Sequence, residues 1–383
     1  MKILHVIPSL SPSQGGPSFA LPMMAKALLN QGVEVDVATT DDDGPGRRMQ
    51  REIGGGYRVF YFPKQTEFYK VSLPLSAWLK QQAPAYDLMH LHGCFSHAPL
   101  AAAKAARRSS IPYIVRPLGV LNRWGMENRR RWLKDLSFRF MDRPTLDHAA
   151  AIHYTSVEEQ NEAARFQLKA RPVVIPLGID VAPFQSLPAA ALFHERHPET
   201  RATRNVLFMS RIHPKKGIEL LLEAFAAMRV PTLHLIIAGE GDAEYASSLK
   251  QKVQSLGIQD HVTWAGFIDG SLKLAAFAAT EIYVLPSYSE NFGIALLEAM
   301  AAGLPCITTP HVALAADANR LKPDSLKVVS GTVELGEALT SLLRDRDQAR
   351  QMGENSRALA REHFSTESMA TCLVKLYSDC IAR

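Results

Sequence analysis

Ile282-Tyr-Val-Leu-Pro-Ser-Tyr-Ser-Glu290-Asn-Phe-Gly-Ile-Ala-Leu-Leu-Glu298 opens on four apolar residues, turns through a Pro-Ser-Tyr-Ser loop and continues as an apolar run. The first four residues read as a strand and the last run as a helix. Strand, loop and helix in succession is the repeating unit of parallel α/β layers. The junction also makes an anion site, because the first backbone N–H groups of a helix lack internal partners. Glu290 falls in the loop and Glu298 one to two turns into the helix. They are not expected to act as one pair on one atom. They suit two ends of one ligand whose phosphates lie at Gly293.

A diphosphate needs basic partners, and candidates lie upstream. Asn205–Ser210 is an apolar strand candidate that runs into Arg211-Ile-His-Pro-Lys-Lys216-Gly217, with a helix from about Ile218. Arg211 offers a planar fork of donors and Lys216 a mobile point charge. A diphosphate leaving group gains negative charge as a glycosidic bond breaks, and preorganised cations and helix dipoles can stabilise it without a metal. Taken alone, the two cations could equally belong to a solvated turn. The two-glutamate segment downstream weighs against that.

Ser-Arg211-x4-Lys216-Gly followed by Glu290-x7-Glu298 resembles the retaining glycosyltransferases of family 4 (group 1), which have the two-domain GT-B fold. Other pieces match in order. Gly15-Gly16-Pro17 follows the first strand, and Asp87-Leu-Met-His-Leu-His92-Gly is similar to the family's Asp-x-x-His-x-His. Val174-Ile-Pro-Leu-Gly178-Ile-Asp180 resembles its Pro-Asn-Gly-Val-Asp hinge, with Leu177 where the family has Asn. Ile237-Ala-Gly239-Glu-Gly241 resembles its Gly-x-Gly turn. The resemblance covers nearly the whole chain.

The resemblance implies two doubly wound Rossmann-like domains facing across a cleft. Residues 1–177 would bind the acceptor and 178–364 the nucleotide sugar, with 365–383 a helix crossing back to the first domain. It implies a metal-independent, retaining hexosyltransferase using a UDP- or GDP-sugar, with no cofactor, that acts on a glycan or lipid-linked acceptor in surface polysaccharide synthesis. Arg211 and Lys216 would stabilise the diphosphate, Glu298 would bind the ribose, and Glu290 the donor sugar. Backbone N–H groups of Phe292, Gly293 and Ile294 would bind sugar or phosphate oxygens. Gly239 belongs to the donor-site turn, and the base would lie near Phe267. Gly16 would face the donor phosphates across the cleft. His92 would contact the transferred sugar or reacting centre. Other classes on the same fold are a nucleotide-sugar epimerase, a phosphorylase, or a non-catalytic binder of membrane or polysaccharide.

Composition bounds these readings. The chain has 383 residues, 47% hydrophobic and 21% charged, which suits a soluble protein of two ordinary domains. No apolar run approaches the roughly 18 residues of a membrane helix. Met1-Lys-Ile-Leu-His-Val-Ile reads as a strand at once, so no signal peptide is expected, and Cys94, Cys306, Cys372 and Cys380 show no paired spacing. Free thiols in a cytoplasmic protein are the simplest reading.

The formal charge of +5 is uneven, and the excess is densest in Arg123–Arg143. There Arg129-Arg-Arg131-Trp-Leu-Lys134 meets Leu136, Phe138, Arg139 and Phe140. Basic residues beside aromatics can hold a helix on an anionic membrane. A helix with one buried stripe and a solvated basic face is the plainer reading of the same segment, and an anionic acceptor is a third. No recognition motif accompanies the charge, so nucleic acid is not expected.

Short apolar strands alternate with helical periodicity along most of the chain. Strands are expected near residues 2–7, 34–39, 58–62, 88–91, 113–115, 150–154 and 173–175. The pattern restarts at 206–209 and continues at 233–238, 261–264, 282–285, 306–308 and 327–329. Leu187–Thr203 shows no clear period. Ligands in such sheets bind beyond the carboxyl ends of the strands.

Three further constellations have competing readings. His90 and His92 share one strand face and, with Cys94 and His97, could hold zinc, though no second ligand pair supports it. Asp41-Asp42-Asp43 after a strand could hold a divalent metal on a nucleotide; before Gly44-Pro-Gly46 it reads better as a solvated loop. Arg116-Pro-Leu-Gly119 closes a strand, where Arg116 meets an acidic acceptor, the developing phosphate charge or a salt-bridge partner. Gly15-Gly16-Pro17 is not a Gly-x-Gly-x-x-Gly fingerprint, which counts against a nicotinamide enzyme.

Overall fold

A computed structural model describes residues 1–11, 16–42, 51–122, 126 and 131–382. The chain forms two compact units: Met1–Gly178 with Thr366–Arg383, and Ile179–Ser365.

The first unit is built on eight strands: β1 (Lys2–Val6), β2 (Glu34–Thr40), β3 (Arg51–Gly54), β4 (Tyr57–Phe62), β5 (Leu88–His92), β6 (Tyr113–Arg116), β7 (Ala151–Tyr154) and β8 (Arg171–Val174). Their order is β3-β4-β2-β1-β5-β6-β7-β8, parallel throughout except for β3 against β4. The strands near the centre are buried on both faces, β5 over its full length. That is why they read as short apolar runs. The strand β3 was not expected. It pairs with β4 through a two-residue turn, Gly55-Gly56, both at positive φ. Only glycine takes that pair of conformations at little cost, so the hairpin is set by its turn rather than by an apolar run.

The second unit has six parallel strands: β9 (Arg204–Met209), β10 (Leu233–Ala238), β11 (Val262–Gly266), β12 (Ile282–Leu285), β13 (Cys306–Thr308) and β14 (Lys327–Val328), in the order β11-β10-β9-β12-β13-β14. Leu187–Thr203 holds a helix, Ala191–Arg196, and a tight turn, Pro198–Thr200, pinned by the buried Phe193. A helix of less than two turns is too short to show a period.

Strand order reverses between β1 and β5 in the first unit and between β9 and β12 in the second. Crevices beyond the strand ends open at such switch points. The last helix, Thr366–Ile381, packs on the helix Gly16–Asn30 of the first unit. The chain therefore leaves that unit after Gly178 and re-enters it at Thr366. At the junction Ile179 N–H donates to Phe364 O at 2.9 Å. The four cysteines are free. Among the described residues no helix is long and apolar enough to cross a membrane.

Candidate active site

The switch point of the second unit collects the basic and acidic residues singled out above. Ser210 and Arg211 follow β9 directly, and Arg211 is exposed. His213, Pro214, Lys215 and Lys216 then form a tight turn whose Lys215 N–H donates to the His213 imidazole at 3.1 Å. Gly217 closes the turn at φ +65°, where a Cβ would lie 2.1 Å from Pro286 O. The loop after β9 is thus pressed against the loop after β12. Gly239, at the end of β10, is as tight: a Cβ there would lie 1.9 Å from Ser210 O. Tyr288 N–H donates to Lys215 O at 2.7 Å, and the Tyr283 hydroxyl to Met209 O at 3.0 Å. The ends of β9, β10 and β12 are thus held in close contact.

Charges converge there. Lys216, mostly buried, makes an ion pair with Glu290. Glu290 is fixed through its backbone, accepting from Ala313 N–H at 3.1 Å and donating to His311 O at 3.0 Å. Lys215 has its pKa lowered, by burial first and by Arg211 second, with Glu290 opposing. Cations crowded this closely attract an anion. The helix Ile294–Ala301 starts at Gly293, at φ +98°, and no side chain caps it. Uncapped N–H groups at a helix start favour an anion. Glu298, in the second turn, is paired with Lys273 at 2.8 Å.

Phe292 is not a surface contact. Its ring is buried and packs against Phe364 with centroids 6.1 Å apart, so only its backbone can serve a ligand. Phe267 is 67% exposed just beyond β11, while Ile268 beside it is buried. Gly239 N–H donates to Gly266 O at 2.7 Å, which brings the ends of β10 and β11 together. Lys273 escaped the sequence reading, since a lysine on a helix carries no signal until its partner is known.

In the first unit Gly16 is exposed at the start of its helix, with open space around it. His92 has no solvent exposure; it ends β5 in register with the buried Arg116 of β6. These two belong to a polar layer inside the sheet. His5 Nδ1 lies 2.9 Å from His92 Nε2. His90 spends Nδ1 on the Tyr377 hydroxyl at 2.8 Å and faces His153 at 3.3 Å. His153 Nε2 donates to Ile175 O at 2.8 Å. Burial holds all four imidazoles neutral, with Arg116 adding to the effect: His5 and His153 are lowered to about 3, His90 and His92 well below the usual range. The Arg116 guanidinium is lowered to about 10 by burial, opposed by Glu159. Its Nε, His5 Nε2 and His92 Nδ1 have no partner among the described residues.

The set His90, His92, Cys94 and His97 does not assemble. His97 turns away to Ser72 N–H at 3.1 Å and Ser76 at 3.2 Å. His5 takes its place, with nitrogens of His5, His90 and His92 within 4.8 Å of one another. A histidine alone in an apolar strand was the only hint of His5. The acidic loop also differs from expectation. Asp42 is half-buried and ion-paired to Lys64 and Lys70; burial raises its pKa, but the two lysines outweigh that and hold the carboxyl at about 2, and Asp41 accepts from Lys64 N–H at 2.9 Å. It is an ionic anchor for the loop after β4 rather than a solvated turn; Asp43 lies outside the described residues.

Two family models match in tandem: a glycosyl transferase 4-like domain over residues 15–178 and glycosyl transferases group 1 over residues 192–359. The chain belongs to the group 1 glycosyltransferases. An O-antigen chain mannosyltransferase C of Escherichia coli is 25% identical over all of this chain and 99% of its own length. A phosphatidyl-myo-inositol mannosyltransferase of Mycobacterium leprae is 30% identical over 56% of each chain. The match thus spans about half the length of that relative. An Anabaena protein, HepE, solved with UDP and glucose, has the same fold: the TM-score is 0.77 at 20% identity, over 99% of this chain and all of that one. The two units are therefore the Rossmann-like domains of a GT-B glycosyltransferase.

Proposed function

We propose that this glycosyltransferase moves a hexosyl unit from a UDP- or GDP-sugar to a glycan or lipid-linked acceptor, with retention of configuration. The observation that carries the reading is the convergence of Arg211, Lys216, Glu290 and an uncapped helix N-terminus at one switch point. The second unit takes the donor. Lys216 exchanges its Glu290 partner for diphosphate oxygens, and Arg211 offers its fork to the same group. The N–H groups at Gly293 and Ile294 complete the anion site. Glu290, released, meets hydroxyls of the sugar. Glu298 binds the ribose, and the base lies over the exposed Phe267. UDP in HepE and the mannosyltransferase relatives support a nucleotide-sugar donor.

The acceptor belongs to the first unit, beyond the ends of β5 and β6; His92 and Arg116, buried at those ends, support its site from beneath rather than touching it. It attacks on the face from which the diphosphate departs, and a departing phosphate oxygen takes its proton. Lys216 and Arg211 stabilise the charge that accumulates on that oxygen. No side-chain base is needed, and the lysines that neutralise Asp42 support a reaction without a metal there. Surface polysaccharide assembly in the cytoplasm, at the inner face of the membrane, is the setting that fits such an acceptor. A thermal-shift screen of UDP, GDP, ADP and their sugars tests the reading, since a ligand that binds only the folded state raises its stability. A shift by one nucleotide and its sugars is expected, and transfer should survive EDTA. No shift with any of them would overturn it.

A further inference from the structure

An exposed apolar stripe runs along residues 131–142 of the first unit. Trp132 is 69% exposed, Leu136 53% and Phe140 65%, spaced four residues apart on a helix that passes into a wider π turn at Phe138–Asp142. Met141 lies beside them, and Phe68, from the loop after β4, is 59% exposed. The opposite side of the same segment is buried: Phe138 packs on Phe166, with ring centroids 4.5 Å apart. A helix that buries one apolar face and shows a second to solvent has an unmet partner.

The stripe is rigidly held. The Tyr69 hydroxyl meets Ser137 Oγ at 2.7 Å, Ser137 Oγ donates to Asp142 at 2.8 Å, and Asp142 accepts from Phe95 N–H at 2.8 Å. Tyr69 and Phe95 both have positive φ, at 65° and 55°. Such conformations in residues other than glycine persist only where surroundings enforce them. The network therefore fixes the Phe68 loop, the stripe and the segment just after His92 as one body.

Charge chooses the occupant. Residues 123–143 carry seven Lys and Arg against three Asp and Glu. Of the three acids, Asp142 is buried in the network, Asp135 is exposed and Glu127 lies outside the described residues; Glu67, next to Phe68, is a further exposed acid. Arg139 lies over the Phe140 ring at 5.6 Å, a cation and an aromatic presented together. Aromatic and aliphatic side chains set among cations suit the boundary between headgroups and acyl chains of an anionic bilayer. A protein partner would bury the same side chains but would not require the positive surround.

We infer that the face formed by Phe68, Trp132, Leu136, Phe140 and Met141 docks on an anionic lipid bilayer and that the acceptor is an amphiphile taken from it. The inference rests on the proposed transfer reaction. Docking here places the end of β5, tied to the stripe through Phe95 and Asp142, at the headgroup level. A lipid-linked acceptor could then present its polar end there without leaving the membrane.

The test is co-sedimentation of the full chain with vesicles of phosphatidylcholine alone or mixed with phosphatidylglycerol, run beside nucleotide thermal shift. Binding to the anionic vesicles is expected at low salt, falling steeply with added salt because attraction is screened beyond about 8 Å at physiological ionic strength. Trp132→Ser with Phe140→Ser should weaken it roughly tenfold or more, through lost apolar insertion. Lys134→Gln with Arg139→Gln should flatten its salt dependence. The nucleotide shift should persist in both variants. Negligible binding to both vesicle types at low salt overturns docking, as does unchanged binding by the Trp132/Phe140 variant. A concentration-dependent dimer that forms in place of vesicle binding, and that the variant dissolves, assigns the face to a second copy instead and overturns it too. Loss of the nucleotide shift in the unaltered protein would sink the transfer reading alone.

Discussion

Lys216 and Glu290 hold each other, and Lys273 holds Glu298, before any ligand arrives. A diphosphate that takes the place of the carboxylate keeps the buried Lys216 paired, so the exchange leaves no uncompensated buried cation. Arg211→Ala or Lys216→Ala should lower turnover roughly a hundredfold or more with the fold intact, the scale of losing one charge-stabilising donor. Near-normal turnover in both variants would refute the assignment. The glutamates should separate. Glu298→Gln should weaken binding of the bare nucleoside diphosphate as well as of the donor. Glu290→Gln should leave nucleoside diphosphate affinity unchanged or raise it, because Lys216 is freed, yet slow transfer. Calorimetric titration beside transfer rates distinguishes them, and the opposite pattern would reverse the proposed donor orientation. At this scale the sequence singled out charges that the structure gathers at one switch point, because Arg, Lys and Glu at strand ends are conspicuous. It did not show their pairing, nor that His92 and Arg116 are sealed inside a polar layer. Those facts depend on His5, His153 and Tyr377, residues from three distant segments.

Among elements, strand positions were legible wherever a strand is buried on both faces. β3 escaped because a four-residue edge strand with a glycine turn has no apolar run, although Gly54-Gly-Gly56 was itself a hairpin signal. The short helix Ala191–Arg196 escaped for want of length. The close approach of the loops after β9, β10 and β12 explains why glycines stand at 217 and 239. Gly239→Ala should cost at least about 3 kcal/mol, since positive φ adds to a collision with backbone. Gly257, at φ +68° with nothing within 4 Å of an added Cβ, gives the control. Gly257→Ala should cost only about 1–2 kcal/mol, the left-handed penalty alone. Urea unfolding measures both. Equal costs would mean that the three loops are not pressed together as described.

For the whole molecule, the four neutral histidines make stability depend on pH. Their folded pKa values lie below the unfolded value of 6.5, with His5 and His153 at about 3. The unfolded chain therefore binds more protons. Stability is fully present above about pH 6.5 and is lost as pH falls toward the folded values, by about 1.4 kcal/mol per pH unit for each such histidine. Urea midpoints should drop clearly between pH 7 and pH 5, and replacing His153 with Gln should shallow the slope. A flat profile would show that the layer takes up protons without unfolding. The route of the chain has a different result. The whole of Ile179–Ser365 is inserted within the first unit, and its two ends are tied by the Ile179–Phe364 bond. While folded, it acts as a short staple between Gly178 and Thr366. Once melted, it becomes a slack loop of roughly 190 residues, and closing such a loop costs about 4–5 kcal/mol. The last helix, with Tyr377, would then seat on its sheet against that entropy. A nucleotide that keeps the inserted unit folded should therefore also slow hydrogen exchange in the Thr366–Ile381 helix, which carries none of the nucleotide's proposed contacts.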